Sequence, residues 1–157
     1  MKKAPSYLYA RKLMEHLQRD TDLAPLVMPS LFDRVSQCDL LLLTAASQYC
    51  CVAVTPGDPT NTDQAQRTRT TRMDCPMVIG IYIQQESLLP PGYESVDEYL
   101  ADVAATIIAR VQDWMRDEED NQEDPVVIGV TPLDLSKLEK IKNLVGKAVV
   151  LAPRLFY

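Results

Sequence analysis

Between Ser95 and Trp114 the chain lays out one wide apolar stripe, in which Tyr99, Val103, Ile107, Val111 and Trp114 recur at helical spacing with Val96, Leu100 and Ile108 alongside. Asp97, Asp102, Arg110 and Gln112 fall largely outside it. The pattern predicts an amphipathic helix of about five turns that must bury one side against an apolar surface. Ser95 and Glu98 stand at the spacing of a capping box, which satisfies amides left over at a helix start. Cys75–Gln84 supplies the surface: Cys75, Met77, Ile79, Ile81 and Ile83 alternate with Val78, Gly80, Tyr82 and Gln84. That is a strand of period two with one oily side. A one-sided helix and a one-sided strand require a layered fold of helices on a sheet.

The other segments fill in that plan. Tyr9, Leu13 and Leu17 recur every four residues, with Ala10 and Met14 beside them, and predict a first helix over Ser6–Arg19. Pro25 and Pro29 make Leu23–Ser30 a connector. Ser36 and Asp39 partly resemble a helix start, so Gln37–Ser47 is expected to be helical, although the run Leu40–Leu43 has no periodicity of its own. Tyr49–Thr55 is rich in strand-favouring residues and stops at Pro56-Gly57-Asp58-Pro59, which predicts a turn. Leu88–Tyr93, with Pro90-Pro91-Gly92, breaks the pattern before the long helix. Arg116–Asp124 reads as a solvated acidic loop. Val126–Val130 is short and wholly apolar, as a central strand would be. Ser136 and Glu139 form a second capping box, and the helix behind them carries Leu138, Ile141 and Leu144 and is expected to stop at Gly146. Lys147–Tyr157, interrupted by Pro153, is expected to be a last strand near a sheet edge.

One segment has no apolar side. Pro59–Gln66 is polar and leads into Arg67-Thr68-Arg69-Thr70-Thr71-Arg72, where threonine favours an extended backbone. It predicts an exposed edge strand or the arm of a long hairpin whose partner is Cys75–Gln84. The expected architecture is a single α+β domain over residues 1–157. Its sheet is mainly antiparallel, with helices packed on one face and a long polar β-hairpin arm.

Composition narrows the function. With 22 acidic against 16 basic residues and a formal charge of −6, the chain is poorly suited to neutralising phosphates, so no nucleic-acid recognition is expected. The longest apolar run, around Leu40–Leu43, is far too short to span a membrane. Met1-Lys2-Lys3 followed by Ala4-Pro5-Ser6 lacks the apolar core of a secretory leader. The expectation is a soluble cytosolic protein. Cys38, Cys50, Cys51 and Cys75 are expected to be reduced, mostly buried thiols, since adjacent Cys50 and Cys51 on a strand point to opposite faces.

Signals for chemistry are sparse. His16 is the one histidine, and no nucleophile is near it in sequence, so a surface or boundary position is expected. Four cysteines without paired Cys-x-x-Cys spacing do not suit zinc. In the run Asp117–Asp124, Gln122 stands where a calcium loop needs glycine. Gly57, Gly80, Gly92, Gly129 and Gly146 are isolated, so no phosphate-cradling loop can be assembled. No cofactor and no catalytic residue are expected. Arg67, Arg69 and Arg72 suit a different task, pairing with another protein chain: main-chain bonds give affinity and arginine forks select carboxylates.

The order of elements is an amphipathic helix, an apolar segment, a strand ending in Val-Thr-Pro-Gly-Asp, a polar Arg/Thr arm, an oily strand, a long helix with Trp114, then strand, helix and strand. This resembles the tail terminator or tail completion proteins of tailed bacteriophages and of related contractile particles. The resemblance rests on size, element order and the pattern from Cys51 to Ile83. It implies a non-enzymatic structural virion protein that forms a sixfold ring on the last ring of the tail tube. The ring would end tube polymerisation and join the tail to the neck. The implied partners are other copies of itself, the tail tube protein, a neck or head-completion protein and, in a contractile tail, the sheath protein. The implied location is the virion tail, reached from the host cytoplasm during assembly.

Carried to this chain, the arm Thr60–Asp74 with Arg67, Arg69 and Arg72, and the terminal Arg154-Leu155-Phe156-Tyr157, become the interface candidates, with Arg154, Phe156 and Tyr157 as the contact residues of the second. Cys50-Cys51 and the Leu88–Tyr93 loop do not match the family pattern. Two alternatives are a neck protein of the same particle, and a small enzyme using carboxylates such as Asp97 and Glu98, although capping and the helix dipole already account for acids at a helix start.

Overall fold

A computed structural model of the 157-residue chain describes residues 1–32, 50–61, 72–84, 89–117, 126–132 and 144–156. The elements are helix α1 (Pro5–Gln18), strands β1 (Cys51–Thr55), β2 (Thr60–Asn61), β3 (Arg72–Asp74) and β4 (Met77–Gln84), helix α2 (Val96–Asp117), and strands β5 (Val126–Pro132), β6 (Leu144–Ala152) and β7 (Arg154–Phe156). The fold is α+β, with a mainly antiparallel sheet, as expected. Four strands form the main sheet in the order β1-β4-β6-β5, and β2-β3-β7 form a separate three-stranded sheet.

One face of the main sheet carries the oily rows. Val54, Ile79 and Val149 lie in register across β1, β4 and β6, with Val52 opposite Ile81 and Met77 opposite Leu151. Tyr9, Ala10, Leu13 and Leu17 of α1 and Leu100, Val103, Ile107, Val111 and Trp114 of α2 complete the same core. Each fully buried leucine or isoleucine contributes about 1.5–3 kcal/mol by leaving water. Trp114 locks the two helices together, its ring 5.0 Å from Tyr9 edge to face and 6.1 Å from His16.

The second face is also closed where it is described. Cys51, Ala53, Tyr82 and Ala148 are buried, and the Phe32 ring lies 6.0 Å from that of Tyr82. Gly80 leaves room for this ring, since a Cβ there would stand 2.6 Å from the far end of the Tyr82 side chain and push it aside. The connector after α1 runs alongside β1: the Met28 amide donates to Val52 O (2.8 Å), the Val52 amide to Leu26 O (2.8 Å) and the Phe32 amide to Val54 O (2.9 Å).

Five expectations need correction. Val126–Val130 is not a central strand: among the described residues β5 lies at the sheet edge, paired with β6 alone and offset by a bulge between Val127 and Gly129. The central position belongs to β6, so Lys147–Ala152 is not an edge strand. Leu144, Val145 and Gly146 are not the end of a helix but the start of β6, where pairing with Gln84, Ile83 and Tyr82 decides their conformation.

The described ends of the polar arm do not pair with Cys75–Gln84, and residues 62–71 lie outside the described residues. Arg72–Asp74 pairs with Thr60–Asn61 on one side and with β7 on the other, and Pro76, lacking an amide proton, separates β3 from β4. Finally, Pro56–Pro59 carries the chain from β1 to β2 without a hydrogen-bonded turn. Gly57 serves close approach there, since a Cβ would sit 1.3 Å from the Pro76 carbonyl oxygen. The helix expected over Gln37–Ser47 and most of the one expected after Ser136 lie outside the described residues.

Candidate functional site

Strand register places the charged segments at one end of the molecule. Cys50 Sγ meets Tyr99 Oη at 3.5 Å, so α2 begins beside the start of β1 and runs to the opposite end, where Thr55, Met77 and Leu151 lie. Arg110 of α2 pairs with Asp20, past the end of α1, whereas Trp114 reaches back to Tyr9. The two helices are therefore antiparallel, and α1 begins at the end where α2 finishes. The small sheet, the start of β5 at Val126 and the last described residues share this pole.

The small sheet is tied to the main one through backbone. The Cys75 amide donates to Pro153 O at 2.9 Å, joining the β3–β4 link to the β6–β7 link. Thr60 Oγ1 donates to Asp74 O at 3.1 Å. Asp74 and Arg154 are register partners, and Arg154 Nε donates to Asp74 Oδ1 at 3.0 Å. The pair is open to water, its side chains 57% exposed for Arg154 and 29% for Asp74.

Of the interface candidates, Arg72, Arg154 and Phe156 come together in this sheet, Arg72 directly opposite Phe156 in the backbone register. Arg67, Arg69 and Tyr157 lie outside the described residues. Sequence reasoning missed Asp74 as the partner of Arg154, because the two are 80 residues apart and only the β3–β7 pairing brings them together.

A second charged joint lies between the two helices. Asp20 Oδ1 accepts the amides of Asp22 (2.8 Å) and Leu23 (3.0 Å), while Oδ2 meets the Arg110 guanidinium. Burial pushes the Asp20 carboxyl up, but the Leu23 and Asp22 amides and then Arg110 outweigh it and hold it below its usual range. His16 Nε2 lies 3.1 Å from Arg110 O, so the histidine serves the same helix–helix joint.

Of the carboxylates of the enzyme alternative, Asp97 lies in the first turn of α2 and Glu98 takes part in capping it. The Glu98 amide donates to Ser95 Oγ at 3.2 Å, and the Glu98 carboxylate lies 3.5 Å from the Glu94 amide rather than that of Ser95. Nearby, Tyr93 Oη donates to Asp102 Oδ2 at 2.9 Å, which raises the pKa of the phenol.

Cys50, Cys51 and Cys75 are buried thiols, as expected, and Cys38 lies outside the described residues. Burial pushes Cys50 up to about 11, and burial with the neighbouring Cys50 pushes Cys51 up to about 12. These are poor nucleophiles at neutral pH. Among the described residues no group of three or more His, Cys, Asp or Glu side chains is placed to hold a metal ion, and no described helix is long and apolar enough to cross a membrane.

No known protein family, curated protein or solved structure matches this chain.

Proposed function

We propose that this chain is a structural protein of a phage-type tail, which assembles into a ring that caps the tail tube, ends its polymerisation and joins it to the neck. The observation that supports this most is the β2-β3-β7 sheet. It gathers the base of the polar arm and the carboxyl-terminal strand at one pole, outside the main sheet. Two segments suited to protein contact then lie side by side, and residues 62–71 between β2 and β3 leave enough chain to reach a neighbour. Such an arm enlarges an interface without enlarging the core, which favours a heterologous cyclic assembly.

The role proposed is one of fit rather than catalysis. It draws support from the capping work done by Ser95 and Glu98 and from the helix-joining position of His16. Electron microscopy of the purified protein, alone and mixed with tail tubes, tests the reading. Closed rings, and tubes capped at one end, are the expected result. Protomers that neither self-associate nor bind tubes would overturn it.

A further inference from the structure

The outer face of α1 differs in charge from the chain as a whole. Lys2, Lys3, Arg11 and Lys12 give residues 1–14 four cationic side chains and no acidic one, in a protein of net charge −6, and all four are exposed. Among the described residues none of the four has a carboxylate partner. Glu15, a turn further on, is the first acid of the helix. Tyr7 and Leu8 stand one turn before Arg11 and Lys12, away from the buried stripe of Tyr9, Leu13 and Leu17. Each remains 43% exposed. Two large apolar side chains at the surface, framed by cations, suit a protein surface that is anionic and open to close packing.

Such a surface lies at the other end of the helix layer of the same molecule. Tyr9 packs on Trp114 at 5.0 Å and His16 Nε2 lies 3.1 Å from Arg110 O, so α1 and α2 lie side by side and antiparallel, with the start of α1 level with the last turns of α2. From Trp114 back along α2 to Asp102 is about 18 Å, and to Asp97 about 25 Å. There Glu94, Asp97, Glu98 and Asp102 place four carboxylates and no cation in nine residues, and all four are exposed. Ala101 and Ala105 fall on the same outer face at helical spacing and are exposed too, which leaves a low surface where a tyrosine and a leucine can pack. A cationic patch at one end of the layer and an anionic one at the other make a head-to-tail contact between copies, which closes into a ring when the rotation permits.

We infer that the Tyr7, Leu8, Arg11 and Lys12 face of one copy seats on the face formed by Glu94, Asp97, Ala101 and Asp102 of the next, a contact that rests on the ring reading above. Sedimentation velocity of the full chain tests it through R11E/K12E, E94K/D97K, the combined variant and A101W, with circular dichroism to confirm folding. E94K/D97K spares Asp102 and Glu98, whose carboxylates serve Tyr93 and the Glu94 amide. Each charge-reversed pair alone is expected to weaken self-association by roughly tenfold or more, because like charges then face each other. A101W weakens it as well, by putting a bulky ring where the contact needs a methyl group. The combined variant restores association, and added salt weakens the wild-type assembly.

Rings that survive both reversals, or A101W, overturn this contact and leave the ring reading standing, as does weakening that the combined variant fails to restore. Weakening by R11E/K12E alone assigns the α1 face to a different acidic partner and likewise overturns the contact. A wild-type protein that stays monomeric at every concentration overturns the ring reading and the contact together. Should a charge-reversed variant not fold, A101W, a change at an exposed alanine, carries the test alone.

Discussion

Replacing Asp20 isolates what holds the corner after α1. Its side chain is 5% exposed and serves the amides of Asp22 and Leu23 as well as Arg110. In D20A the partly buried Leu23 amide loses its acceptor, at a cost of about 1–2 kcal/mol, like that of losing a helix cap. The exposed Asp22 amide turns to water. Arg110, 46% exposed, is also hydrated once unpaired and adds about 0–1 kcal/mol. The expected loss is therefore about 2 kcal/mol. D20N keeps an oxygen for both amides and loses only the charge, so it should cost about 1 kcal/mol or less.

With a urea dependence of about 2 kcal/mol per molar for a chain of this size, D20A moves the unfolding midpoint down by about 1 M at constant slope, and D20N by half of that or less. The pH dependence has a definite sign. Because the folded carboxyl titrates below its ordinary value of 3.8, its stabilisation is complete above that value and is lost as pH falls through the folded pKa. The gap between wild type and D20A should thus be full at neutral pH and shrink below about pH 4. Equal losses in D20A and D20N, or a gap undiminished in acid, would refute the reasoning.

G57A should destabilise by about 2–4 kcal/mol in the same urea assay, since backbone must move to free the Pro76 carbonyl; a loss under about 0.5 kcal/mol counts against the close approach. In a C38S background, native protein at neutral pH should resist a thiol reagent and unfolded protein should react at Cys50, Cys51 and Cys75; rapid native labelling contradicts their burial. The raised folded pKa values of Cys50 and Cys51 also mean that stability present below the ordinary thiol value of 9.0 is lost as pH rises towards about 11 for Cys50 and about 12 for Cys51. R154E breaks an exposed pair worth about 0.5–1 kcal/mol at most, so its urea midpoint should move little while self-association falls; unchanged association removes Arg154 from the interface.

The legible parts of the fold were those with one dominant period. Tyr9, Leu13 and Leu17 indicate α1, the stripe from Tyr99 to Trp114 indicates α2, and the alternation Met77-Ile79-Ile81-Ile83 indicates β4 with its buried side. Sheet order was not legible. An apolar run such as Val126–Val130 suits an edge strand as well as a central one, because hydrophobicity does not record how many neighbours hydrogen-bond to it. Leu144 satisfies both the helical spacing from Leu138 and Ile141 and the first position of a strand, and the long-range pairing with Gln84 decides between them.

The site was legible as a set of charged segments but not as a place. That β3 leaves β4 and joins β7 depends on Pro76 and Pro153 interrupting two strands at matching points. Asp20 gave a weak signal as a polar residue just past a helix end. Its partner Arg110 gave none, since it is separated by the whole of the sheet-forming sequence up to α2.

The most direct test of the account is the mass of the purified protein in its assembled state, measured by native mass spectrometry over a concentration series. A discrete closed oligomer, of six protomers for a sixfold ring, is the predicted result. A protomer that stays alone at every concentration, above all one retaining a small bound compound, would contradict it.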